Sequence, residues 1–340
     1  MRAALVIAMV WTTACGGDDG SGFGLGNVDI EDVPEAIQAA FCHHYVECGF
    51  FADEAACRAT NFGFKLQLDP SLVAAIKAGK VKYDGRILGD CYEAFGDQSC
   101  DRTDLDGRVL AVDCQGALTG TVDAGGACAI DAECVSQMCD VPQCPDACCQ
   151  GTCVGGVAPG PGRGIGEACE MTSECAVGGW CDPTTSLCAA LEPAASSCSS
   201  DAECDYGLGC AGTTGMRTCK VLPVLGEACP DSACRDDGTF CEPTAKVCTR
   251  LGLPGDACST TARCSFFYAC DQATMVCVTG PRLGDACSNT SPCFDFQTYC
   301  KAGTCAALEA KGAACTDDSD CASDLCDPAT NVCSEEPICF

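Results

Sequence analysis

Sulfur is the one reactive element this chain carries in quantity, with 39 cysteines among 340 residues. A thiolate can attack, ligate a metal or cross-link, and its surroundings decide which. Cys-x-x-Cys does not occur. The closest approaches are the adjacent pair Cys148 and Cys149 and the three-residue gaps from Cys144 to Cys148 and from Cys149 to Cys153. Thioredoxin-like redox sites, zinc ribbons and haem attachment all need two sulfurs that reach one partner from a single turn. The cysteines are therefore expected to cross-link, with no metal and no cofactor.

Histidine is scarce, His43 and His44 being the whole supply. Successive helical positions point about 100° apart, so the two cannot clamp one ion together. Any Ser-His-Asp or Cys-His centre must draw on this pair, yet the chain has neither a Gly-x-Ser-x-Gly elbow nor a His-Glu-x-x-His helix. The preferred reading makes both histidines helix-surface residues beside a disulfide, with no catalytic residue. The alternative is a secreted hydrolase or thiol-dependent enzyme seated in residues 29–118. Asp104, Asp106, Gly107 and Asp113 are spaced somewhat like a calcium loop, but Arg102 stands where the opening carboxylate belongs, so a plain turn is expected.

A repeat must position the sulfurs. First-cysteine positions Cys169, Cys198, Cys229, Cys258, Cys287 and Cys315 follow one another at intervals of 29, 31, 29, 29 and 28 residues. A period of that length is one supersecondary unit copied in tandem. Glycine stands three residues before the first Cys at Gly125, Gly166, Gly226, Gly255, Gly284 and Gly312, with Ala195 the exception, which predicts a tight turn of positive φ. The third and fourth cysteines bracket a turn, as in Cys181 to Cys188, Cys241 to Cys248 and Cys326 to Cys333. Pro after an acidic residue presets its corner, and Leu187, Val247 or Val332 restarts a strand. Each repeat thus reads as a short β-hairpin with a preceding loop. A hairpin alone is marginal in water, and a bridge closing about 15 residues contributes about 3 kcal/mol, so two bridges per unit replace the missing core.

Upstream, residues 29–118 carry helical grammar. Asp32 is expected to cap a first helix with Glu35 completing a capping box, and Val33, Ile37, Phe41 and Tyr45 lay one apolar stripe along it. A second helix is expected from Asp53 through Cys57, a third from Ser71 to Gly79, and a fourth from Arg86 to Phe95 carrying Cys91. The six cysteines Cys42, Cys48, Cys57, Cys91, Cys100 and Cys114 can close in three disulfides, fifteen connectivities being open. The expected fold is therefore small and disulfide-rich: an N-terminal α-helical six-Cys domain, then a rod of tandem short β-hairpin cysteine-rich repeats joined only at their ends. Disulfides are expected at Cys128, Cys134, Cys169, Cys175, Cys181 and Cys188 among the repeats.

The first unit, residues 125–158, holds Cys128, Cys134, Cys139, Cys144, Cys148, Cys149 and Cys153, with an adjacent pair followed by Gly151. This run resembles the Dickkopf amino-terminal cysteine-rich module. After a Pro/Gly linker at 159–165, the six four-Cys repeats of residues 166–339 resemble the shortened versions found in tandem in bacterial cysteine-rich lipoproteins. The resemblance rests on Cys and Gly positions and implies a fold, not the receptor binding of the animal proteins. Seven cysteines in the first unit and one extra at Cys339 are each odd, so they are expected to pair with each other, or Cys339 to bridge to another molecule.

Residues 1–14 read as an export signal, with Arg2, an apolar stretch from Ala3 to Trp11, and small residues before Cys15. The pattern resembles a bacterial lipobox, which implies lipid on Cys15 and a flexible tether over 15–28. Thr12 stands where that family has Leu, which leaves ordinary cleavage after Ala14 as the alternative. Taking Cys15 out of the odd total leaves an even number for pairing.

Lys plus Arg total 19 against 48 Asp plus Glu, a formal charge of -29, so nucleic acid is disfavoured as a partner. One cluster stands out in an aromatic-poor region: Phe266, Phe267, Tyr268, Phe294, Phe296 and Tyr299. Aromatic anchors dominate interfaces, which makes these the candidate contact residues, against the simpler reading that they pack as a small core between two units. The chain is thus expected to be a non-enzymatic lipoprotein, anchored at an outer membrane or extracellular. It would touch the membrane through its lipid and present a binding, adhesion or structural surface to an unknown protein or glycan.

Overall fold

The computed structural model of the chain describes residues 24–61, 68–103, 116–142, 149–155, 162–169, 172, 175–176, 178–213, 215–231, 233–288 and 293–335. The expected signal peptide, Cys15, the acidic loop from Asp104 to Asp113, Cys114, Cys144, Cys148 and Cys339 lie outside the described residues.

Four helices appear close to the expected spans: α1 (Val33–Glu47), α2 (Glu54–Arg58), α3 (Pro70–Lys77) and α4 (Gly85–Gly96). Three start on an aspartate that accepts from the first turn: Asp53 from Ala56 N at 2.8 Å, Asp69 from Ser71 N at 2.6 Å, and Asp84 from Arg86 N at 3.0 Å. The expected capping box at Asp32 is corrected, because that side chain makes no cap hydrogen bond. A 3₁₀ turn over Ile30–Asp32 runs straight into α1, so Asp32 already has helical backbone and cannot fold back as a cap.

Sequence reading missed a small sheet in this domain. Strand β1 (Val81–Tyr83) pairs antiparallel with β2 (Leu118–Gly120), Lys82 opposite Thr119. Val28, Val33, Ala36, Leu88 and Ala117 form one small core. Backbone lies directly on α4 there: a Cβ at Gly89 would sit 1.7 Å from the Gly26 carbonyl oxygen, so only glycine fits. Cys42–Cys57 ties α1 to α2, and Cys48–Cys100 ties the end of α1 to the segment after α4.

Seven cysteine-rich units follow, beginning at Cys128, Cys169, Cys198, Cys229, Cys258, Cys287 and Cys315. The first is a three-stranded sheet in the order β3 (Ala127–Cys128), β5 (Gly151–Cys153), β4 (Cys139–Asp140). The others are two-stranded antiparallel hairpins: β6 (Gly179–Asp182) with β7 (Leu187–Ala190), β8 (Gly209–Ala211) with β9 (Thr218–Lys220), and β10 (Thr239–Cys241) with β11 (Cys248–Arg250). They continue with β12 (Tyr268–Asp271) and β13 (Val276–Thr279), β14 (Thr298–Lys301) and β15 (Thr304–Ala307), and β16 (Cys326–Asp327) and β17 (Val332–Cys333).

One bonding rule runs through all of the hairpin units: the first cysteine bonds the third and the second bonds the fourth. Examples are Cys258–Cys270 with Cys264–Cys277, and Cys315–Cys326 with Cys321–Cys333. The third and fourth cysteines face each other across the strands, as Cys270 and Cys277 do, yet each bonds back to the loop before the hairpin. Both strands are thereby stapled to that loop, so the unit is closed in three dimensions without an apolar core. The expected positive-φ turn is present: Gly255 has φ +98° and donates its N–H to the Cys277 carbonyl at 2.9 Å. Ala195 occupies the same place at φ +72° and makes the same bond to the Cys219 carbonyl at 2.8 Å.

Hairpin tips are capped by the acidic residue after the third cysteine. Asp271 accepts from Ala273 N at 2.9 Å and Thr274 Oγ1 at 2.8 Å, and Asp182 and Asp327 do the same in their units. These hydrogen bonds hold all three carboxyls below the usual value.

Contact only between neighbouring ends is also corrected. Lys80 of the helical domain pairs with the fully buried Glu133 of the first unit at 3.2 Å. Gly207 N of the third unit donates to Thr103 O at 2.9 Å, Asp237 N of the fourth to Cys100 O at 2.7 Å, and Phe296 N of the sixth to Thr60 O at 3.0 Å. The fifth unit supplies Tyr268 to a core built from Phe41, Cys42, Cys48, Phe50, Phe51 and Cys57. Five units thus touch the helical domain, the first, third and fourth through polar contacts and the fifth and sixth with rings as well.

Candidate ligand groove

The described cysteines are all disulfide-bonded, Cys91 and Cys149 included. Within the first five units, sulfurs of the two bridges crowd to within 4.8 Å of one another, as at Cys258, Cys264 and Cys277. Such clusters match metal-site spacing, but their sulfurs are spent on S–S bonds and present no thiolate. This much disulfide belongs in an oxidising, extracytoplasmic compartment. No helix among the described residues is long and apolar enough to cross a membrane.

The histidines separate in the structure. His43 is partly exposed, with Nε2 3.4 Å from Asp97 and 3.7 Å from Glu47. His44 is buried, which corrects its placement on the helix surface: α1 turns it under Phe95 and against the Cys48–Cys100 bridge. Its Nδ1 lies 3.1 Å from the Gln98 carbonyl, and burial pushes its pKa below the ordinary value. Asp237 of the fourth unit faces the same region, its carboxyl pushed up by burial. Around it Arg235 pairs with Asp101 at 3.1 Å and Arg102 with Asp201 at 3.6 Å. These charges sit at the seam between the helical domain and the third and fourth units.

All six aromatic candidates come together. Phe266, Phe267 and Tyr268 from the fifth unit meet Phe294, Phe296 and Tyr299 from the sixth around one groove of about 720 Å³. The hairpins place them: Tyr268 begins β12, Tyr299 lies in β14, and the other four sit in the loops before those strands. The groove also touches Gln272, Thr298, Leu308, Ser319 and Asp295, the last being the only charged side chain along it among the described residues.

The rings divide between packed and exposed positions. Phe267 lies on Phe51 with centroids 4.2 Å apart and edge-on to Phe41 and Tyr45, so it is packed, though against the helical domain rather than merely between units. Tyr268 is 8% exposed and stacks on Phe294 at 5.9 Å. Its hydroxyl has no hydrogen-bond partner among the described residues, and burial pushes its pKa up to about 12. Phe266 is 64% exposed at the rim, resting one edge on Phe50. Tyr299 donates its hydroxyl to Glu309 at 2.9 Å, a carboxylate that Lys301 also grips.

Sequence reasoning did not assign Phe50 and Phe51, which pack against Phe266 and Phe267. Their doublet beside Cys48 was a signal, but nothing in the sequence says which distant segment covers it. Neither a protein-family model, nor a curated protein, nor a solved structure matches this chain.

Proposed function

We propose that the chain is a non-enzymatic, exported binding protein of the cell envelope, tethered through lipid on Cys15, whose recognition site is the aromatic groove of the fifth and sixth units. The observation that carries this reading is that six aromatic side chains from two units converge on one groove while a rim ring, Phe266, stays 64% exposed. A concave site lined by converging rings with a few polar groups is the usual form of a small-ligand pocket. The Dickkopf-like resemblance supports a secreted stapled scaffold and nothing about the ligand.

The alternative, a hydrolase or thiol-dependent enzyme in residues 29–118, finds less support. Its described cysteines are bonded, and His44 is buried against a disulfide with a backbone carbonyl at Nδ1.

Two measurements test the proposal. Labelling with a tagged fatty acid should mark the chain and not its Cys15→Ser variant; label on both or neither removes the anchor. A panel of soluble glycans, amines and peptides titrated into the oxidised protein should give saturable binding that Phe266→Ser weakens and Met216→Ser, at another exposed apolar residue, does not. Binding indifferent to Phe266 removes the groove as the site.

A further inference from the structure

The groove combines ring faces with a single carboxylate. Among the described side chains along it only Asp295 is charged, with Oδ1 accepting from Gln297 N at 2.8 Å. No Lys or Arg stands among the described residues that line the groove. Two basic groups adjoin groove rings from outside, and both are already engaged. Lys301 is held by Glu309, and the Arg282 guanidinium lies over the Phe294 ring at 5.7 Å. That last contact shows a ring of this very cluster already holding a cation on its face. Ring quadrupoles present negative faces and attract cations that shed water easily.

We propose that the groove binds a soluble alkylated ammonium compound of the choline class, an inference that rests on the groove being the recognition site. A quaternary nitrogen has no N–H to satisfy and is weakly hydrated, so rings rather than hydrogen-bond acceptors suit it. Asp295 supplies the one full countercharge. The surrounding surface, at net charge -29, concentrates cations and repels anions. The same field argues for a free cation over a phospholipid headgroup, whose phosphate it would push away.

Calorimetric titration of the full oxidised chain with choline tests this. A dissociation constant on the order of a millimolar is expected for so small a head. The neutral isostere with carbon in place of the quaternary nitrogen should bind about tenfold more weakly. Asp295→Asn keeps the Oδ1 acceptor for Gln297 and should weaken choline about three- to tenfold while leaving the isostere unchanged. Phe266→Leu keeps apolar area at an exposed position and should weaken choline several-fold by removing a ring face.

If the isostere or a neutral oligosaccharide binds as tightly as choline, with Phe266→Leu weakening it, the groove stands as the site and the cation is wrong. Preference for phosphatidylcholine vesicles over free choline likewise overturns the soluble cation. No saturable binding of choline, isostere or oligosaccharide overturns the cation and the groove together.

Discussion

Phe267 of the fifth unit lies on Phe51 of the helical domain with ring centroids 4.2 Å apart and planes 30° from parallel. The pair closes a seam between two parts of the chain that each lack a sufficient core. Phe267 is also within reach of Tyr45 and Phe50, so a single side chain joins the repeat to several rings.

Phe267→Ala should therefore undock the fifth unit without unfolding it. Removing a packed ring costs about 3 kcal/mol, while the Cys258–Cys270 and Cys264–Cys277 bridges keep the hairpin intact. Amide hydrogen exchange should speed up at Phe296 of the adjoining sixth unit, whose N–H crosses to Thr60 O beside the lost ring, and stay slow at Cys277 of the fifth, whose N–H bonds within its unit. Equal loss of protection at both would show that the unit depends on docking to fold.

Ala195 holds φ +72° at the position where the other six units have glycine. A side chain in left-handed backbone costs about 1 kcal/mol, which Gly would relieve. Ala195→Gly should raise stability by about 1 kcal/mol in denaturant titration of the third unit, and Gly255→Ala, at φ +98°, should lower that of the fifth by at least as much. A destabilised Ala195→Gly protein would contradict the strain argument.

Deleting one bridge should be a local event. Cys258→Ser with Cys270→Ser opens a loop of sequence separation 12, removing about 3 kcal/mol from that unit in the chain-entropy model. Protease cleavage should then appear within residues 255–277 and not in the seventh unit, which keeps its own two bridges. Cleavage throughout the repeats would show that they fold as one cooperative body.

Acid should loosen the seam at His44. Burial lowers its pKa in the folded state, so the folded protein binds fewer protons there than the unfolded chain. Its contribution to stability is complete above the ordinary value of 6.5 and is lost as pH falls through the folded pKa. Asp237 has the opposite sign: its raised carboxyl adds stability below 3.8 that is lost as pH rises through its folded value. Stability measured from pH 7 downward should fall below about 6.5, and His44→Gln should flatten that part of the profile. An unchanged slope in the variant would assign the acid sensitivity to other groups.

Much of the local structure was legible in the sequence, because its causes are local. The aspartate cap at Asp53, glycine three residues before most first cysteines, and acidic-Pro corners between third and fourth cysteines act over a handful of residues. The helix from Asp53 and the hairpin units follow from them. Asp32 failed as a cap because the turn ahead of it was already helical, which residue types alone do not reveal.

By itself, then, the sequence determined that sulfur staples small hairpin units behind a helical domain, and that six rings are concentrated in two of those units. Only the tertiary structure decided which cysteine bonds which, since four equivalent thiols in a unit admit three pairings and geometry selects among them. It also decided that Phe267 turns inward to Phe51 while Phe266 stays at the rim of a groove, and that His44 is buried where a surface position was expected. Contacts between segments so far apart in the chain leave no periodic trace in either segment. They are fixed by which apolar faces remain uncovered once each local unit has formed.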